Sequence, residues 1–147
     1  MMNSILTRGL RTGATLAAAT TATMVVSSLF KSKSPWAGIN AMATGIGVGG
    51  RRPSKEFEAG TTPAGLGAVV GGMLVWGLGY EAALAAAGRR SSVLTGALSA
   101  LGGYAFDRLF MADHLVPNFR KTMGTVGTIA KYTVVGLASA MSSRVVE

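Results

Sequence analysis

Three stretches of this sequence carry no charged residue: 19 residues between Arg11 and Lys31, 22 between Glu58 and Glu81, and 16 between Arg90 and Asp107. At a helical rise of about 1.5 Å per residue, each of the first two reaches the ~30 Å of a bilayer core almost unaided. A soluble domain commonly has about a quarter of its residues charged. Here 14% of 147 residues are charged and 49% are hydrophobic, which disfavours a soluble enzyme and a disordered tail. The absence of cysteine excludes a disulfide scaffold, thiol catalysis and cysteine-containing zinc sites, and the single histidine, His114, leaves no histidine cluster within one chain.

The apolar runs are continuous and lack the alternation of a membrane strand, so they predict helices. The third gains a further turn from residues 107–111, where Asp107 and Arg108 can sit at the headgroup level. A fourth run, residues 122–143, is interrupted by Lys131 alone. The expected fold is therefore all-α: a single integral membrane domain, a four-helix transmembrane bundle with spans over 10–30, 62–86, 91–111 and 122–142. Thr61 and Thr62 before Pro63 read as an N-cap followed by a first-turn proline, and Gly88 before Arg89 and Arg90 as a C-terminal stop. Pro117 is expected to end the helix that carries Asp113 and His114.

Residues 34–50 form one more uncharged stretch, opening on Pro35 and Trp36 and closing with four glycines in its last six positions. Each glycine costs about 1 kcal/mol of helix propensity, which confines a helix to residues 36–45. It is expected to be short and interfacial or re-entrant, anchored by Trp36 between the first two spans. The N-terminus is basic and free of acids, as transit and signal peptides are. Its apolar run is long and stops at Lys31 and Lys33, so it reads as an uncleaved anchor.

Lys31, Lys33, Arg51, Arg52, Lys55, Arg108, Arg120 and Lys121 outnumber Arg8, Arg11, Arg89, Arg90 and Arg144 on the opposite side, slightly favouring cytoplasmic long loops. The net charge of +8 fits anionic lipid headgroups beside these flanks, and no basic stripe with interleaved aromatics points to nucleic acid. Gly45, Gly47 and Gly50 match a dinucleotide fingerprint by letters alone. Without a surrounding βαβ pattern they imply no cofactor.

Small residues give the helices a means of packing. Gly65, Gly72, Gly79 and Ala86 recur every seven residues in the second span, and Gly96 and Gly103 accompany Ser92 and Ser99 in the third. Helices in lipid associate through close backbone approach, so these positions predict packing seams. The short joint at residues 87–91 predicts an antiparallel hairpin.

Four polar residues, Glu81, Asp107, His114 and Lys131, are candidate intramembrane groups. A lone charge at the bilayer centre costs about 2.5–3.5 kcal/mol. Glu81 is expected at an interface near Arg89 or Arg90. Lys131 is expected to snorkel, to pair internally or to line a polar cleft with Thr125, Thr128 and Tyr132, roughly 15 Å from Glu81 along the membrane normal. Asp107 and His114 stand two turns apart, about 10 Å, too far for an acid–base dyad. No catalytic or metal site is expected.

Ser34, Pro35 and Trp36 after a small-residue first span, Thr62 and Pro63 opening a second span that ends in Tyr80 and Glu81, and residues 113–119 with Asp113, His114 and Pro117 before the last span resemble small bacterial inner-membrane proteins of the YagU type. The resemblance covers most of the chain and implies a polytopic bacterial inner-membrane protein. It brings no catalytic activity with it, and Lys131 departs from its pattern. The expected function is a non-catalytic helix-packing scaffold or membrane-complex subunit, alone, as a homo-oligomer or with a membrane partner. The alternative is a permeation protein for a small ion or solute, with Lys131, Glu81 and residues 45–50 near its path.

Overall fold

The computed structural model describes residues 2–142, which are helical without strands: α1 (Met2–Ser32), α2 (Ala37–Gly45), α3 (Thr62–Ala86), α4 (Val93–Leu109) and α5 (Leu115–Ser142). Arg144, one of the basic flanks, lies outside the described residues. By length and composition α1 and α3 can each cross a membrane. The 17 residues of α4 rise only about 26 Å, and α5 carries Arg120 and Lys121 in its opening turns.

α1 is central, packing on α3 along one side and α5 along another, while α4 rests on α5. Two of the close approaches bring glycine onto glycine. A Cβ on Gly77 would stand 2.3 Å from the amide nitrogen of Gly13, and one on Gly96 would stand 2.6 Å from the carbonyl oxygen of Gly136. Only hydrogen fits there, so the backbones themselves come into contact.

The expected α3–α4 hairpin is looser than a backbone contact. Trp76 and Tyr80 fill the space between the two helices. Trp76 Nε1 donates to Ser99 Oγ at 2.9 Å, and the Tyr80 hydroxyl lies 2.7 Å from Ser91 Oγ and 3.0 Å from Thr95 Oγ1.

The packing face of α3 also differs from the heptad seam. Gly65 meets the Ile39 carbonyl of α2, and Val69, Gly77 and Glu81 follow on the buried face at multiples of four residues. A Cβ on Gly72 or Gly79 would meet nothing within 4 Å, and Ala86 is exposed. At Gly103 a Cβ would make only ordinary contact, at 3.9 Å, with Tyr132 and Val135. With 3.6 residues per turn, a strict heptad drifts about 20° per repeat unless the helices supercoil. α3 instead meets α2 and then α1 along rows of four.

Helix ends follow local chemistry. Gly88, at φ 59°, closes α3, and the Arg89 N–H returns to the Leu84 carbonyl at 3.0 Å. Thr61 occupies the N-cap of α3 without a side-chain bond, while the Thr62 hydroxyl donates to Asn40 Oδ1 at 2.7 Å. Ser92 caps α4 in a reciprocal box with Thr95. Pro117 does not end a helix. It lies in the first turn of α5, where its missing N–H costs nothing. α5 itself breaks at Gly124 (φ 74°, ψ 172°) into pieces over 115–123 and 125–142.

The short helix expected in residues 36–45 is present as α2, and other helices of the protein cover it. Eight of its nine residues are buried between α1, α3 and α5, over a core that includes Met24, Val69, Leu115 and Phe119. Asn40 Nδ2 donates to the Ser54 and Glu56 carbonyls, both at 2.9 Å, tying the following loop across α2. Small residues let α2 fit where a bulkier segment would be forced outward. Trp36 meets Phe57 edge-on, with ring centroids 5.3 Å apart.

Candidate functional site

Helical side chains tilt toward the N-terminus of their own helix. Lys131 and Tyr132, on the second piece of α5, therefore both reach back along it, to the level at which antiparallel α4 carries Asp107. Lys131 Nζ donates to Asp107 Oδ2 at 2.8 Å, and the Tyr132 hydroxyl donates to the same oxygen at 2.7 Å. The lysine and aspartate side chains are only 5% and 11% exposed. The ammonium also stands 4.5 Å from the ring centre of Phe119 and 4.1 Å from that of Tyr132, and Tyr104 meets Tyr132 edge-on. A cation held by a carboxylate and two aromatic faces does not carry the cost of a lone buried charge.

Asp107 is thus buried against α5. Lys131 is paired rather than snorkelling, and the Thr128 hydroxyl is occupied with the Gly124 carbonyl at 2.8 Å. Beside the trio, an open cleft of about 310 Å³ lies between α4 and α5, with Leu101, Tyr104, Arg120, Thr125 and Ile129 on its walls.

Glu81 belongs to a second cluster at the other end of the bundle. Thr12 Oγ1 donates to Glu81 Oε1 at 2.8 Å, Arg8 Nε lies 3.5 Å from Oε2, and Ser142 Oγ donates to Thr12 Oγ1 at 3.1 Å. Glu81 and Lys131 are not brought together; each has its own partner. His114 is apart from Asp107. Its Nε2 donates to the Thr44 carbonyl at 3.0 Å at the end of α2, and Nδ1 lies 3.3 Å from Asp113, which pairs with Arg51 at the surface.

A third group was not anticipated from the sequence. Ser99 and Ser139 hydroxyls lie 2.9 Å apart, and Ser91 Oγ donates to the Ser139 carbonyl at 3.0 Å. The signal was present in the serines spaced along the inward faces of both helices.

Among the described residues no group of three or more His, Asp or Glu is disposed to hold a metal ion, and every buried side-chain nitrogen and oxygen has a hydrogen-bond partner. The chemistry on offer is mutual neutralisation: Glu81, Asp107 and Asp113 are engaged with cations, and hydroxyls bridge helices. Comparison with family models, curated proteins and solved structures finds no match.

Proposed function

We propose that the chain is a four-span protein of a bacterial inner membrane that works without catalysis, as a helix-packing scaffold or a subunit of a membrane complex. The observation that carries this reading is the inverted distribution of polarity. Val75, Leu101 and Val126, on three different helices, are 70%, 65% and 81% exposed, while Thr20, Asn40 and Ser139 are fully buried. In water such a surface drives association. In hydrocarbon it is the ordinary one, because lipid tails are as apolar as leucine.

The charges support the same reading. Arg8, Glu81, Arg89 and Arg90 lie toward one end of the bundle, and Lys31, Lys33, Arg108, Arg120 and Lys121 toward the other. The 19 residues between Arg11 and Lys31 rise about 29 Å, the thickness of a bilayer core. The Asp107–Lys131 pair, beside the second band, is neutral as a unit. Anionic headgroups are the natural partners of the flanking cations.

Alkaline extraction followed by flotation with lipid vesicles tests the reading: the chain stays with lipid. A chain that is monodisperse in detergent-free buffer and sediments away from vesicles overturns it. The permeation alternative draws on the break in α5 at Gly124 near a buried charge pair, since interrupted helices and intramembrane charges mark ion paths in transporters. Asp107→Asn combined with Lys131→Met removes both charges. It leaves a scaffold assembled, and it abolishes flux in reconstituted vesicles if the pair lines a path.

A further inference from the structure

The cleft between α4 and α5 adjoins the Asp107–Lys131 pair and shares Tyr132 with it. Its walls are of two kinds. Leu101 and Ile129 are 65% and 61% exposed, while Arg120 and Tyr104 bring a guanidinium and a phenol. Among the described residues, neither of those two polar groups makes a hydrogen bond or ion pair within the protein. The helices are pinned together at Gly96 and Gly136, and the Tyr104 and Tyr132 rings stand between them nearer the break at Gly124.

We propose that this cleft holds one anionic phospholipid, its phosphate against Arg120 and Tyr104 and an acyl chain along Leu101 and Ile129. The assignment rests on the membrane reading above and is argued from charge and position. Arg120 lies at the end of the bundle that also carries Lys31, Lys33, Arg108 and Lys121, the band expected at the headgroups. From there the cleft runs inward past Thr125 and Ile129 to Thr133. Among the described residues no acid lines the cleft, and Asp107, which accepts from Tyr132 of its wall, is paired with Lys131, so the cleft is cationic where a headgroup would sit and apolar where a chain would lie. A small water-soluble anion would leave the leucine and isoleucine uncovered.

Native mass spectrometry of the full chain in mild detergent tests the proposal, with phosphatidylglycerol, phosphatidylcholine and inorganic phosphate as probes. One phosphatidylglycerol is retained per chain, in preference to phosphatidylcholine. Arg120→Gln weakens retention about fivefold, the worth of one basic side chain against an anionic lipid surface. Thr133→Phe fills the cleft from an exposed position and removes the bound lipid, whereas Lys121→Gln, outside the cleft, leaves it in place. Circular dichroism verifies that each variant keeps its helix content.

The proposal is overturned if Arg120→Gln and Thr133→Phe retain phosphatidylglycerol like the unaltered protein, if phosphatidylcholine is held equally, or if inorganic phosphate alone displaces the lipid. Vesicle flotation of the same preparation keeps the two readings apart. A chain that floats while its variants bind unchanged loses only the cleft assignment, and one that does not float loses both.

Discussion

Glu81 and Asp107 are both buried carboxylates facing a cation on another helix, yet the two sites differ in what the cation can do without the acid. Arg8 is 37% exposed at the end of the bundle and lies 3.5 Å from Glu81. Lys131 is 5% exposed, 2.8 Å from Asp107, with Tyr132 donating to the same carboxylate oxygen. Arg8 can turn to water if Glu81 is lost. Lys131 has no such route, because its ammonium is enclosed by Phe119, Tyr132 and Asp107. Equal formal charges therefore carry unequal structural weight, and depth rather than count decides which pair the fold depends on.

The sharpest way to break this comparison is Asp107→Asn, which strands Lys131. It should cost about 3 kcal/mol or more of stability in detergent. Adding Lys131→Met should restore much of that loss, so chemical unfolding of the two singles and the double must show strong coupling. Additive losses would mean that the pair is hydrated.

Next in size is Gly77→Ala, one turn before Glu81. A Cβ there runs into the Gly13 backbone and pushes apart the helices that bring Glu81 to Thr12, a loss of about 1–3 kcal/mol. Gly72→Ala meets nothing and should be neutral or stabilising by up to ~1 kcal/mol; equal thermal shifts for the two variants would contradict the packing. Tyr132→Phe removes one of the two hydrogen bonds to Asp107 and should lower stability by about 1 kcal/mol, leaving the ion pair in place. Glu81→Gln is the mildest, below about 1 kcal/mol, since the Thr12 hydroxyl can still donate to the amide oxygen. A loss as large as that of Asp107→Asn would erase the distinction between the two sites.

Some of this was legible in the residues. The runs without charge locate α1 and α3, the glycine cost in residues 45–50 bounds α2 near Gly45, and Gly88 marks the end of α3. The burial of α2 was not legible, because an apolar segment of small residues reads alike whether lipid or protein covers it. The α3 contact row is not legible in the sequence because a sevenfold repeat of small residues has the spacing of a helix seam, whereas the rows used come every four residues and change partner from α2 to α1. The Asp107–Lys131 pair depends on the relative register of α4 and α5 and on the backward tilt of helical side chains. Spacing within either helix contains neither.

The central claim is that four helices cross hydrocarbon with residues 33–61 and 110–114 on one side. The absence of native cysteine allows single-cysteine labelling in sealed vesicles with a membrane-impermeant maleimide to test it directly. Arg52→Cys and Ala112→Cys should react from one side, Arg89→Cys only from the other, and Val75→Cys and Leu98→Cys only after solubilisation and denaturation. Labelling of Val75→Cys and Leu98→Cys in intact vesicles as fast as Arg52→Cys, or of Arg52→Cys and Arg89→Cys from the same side, would contradict the account.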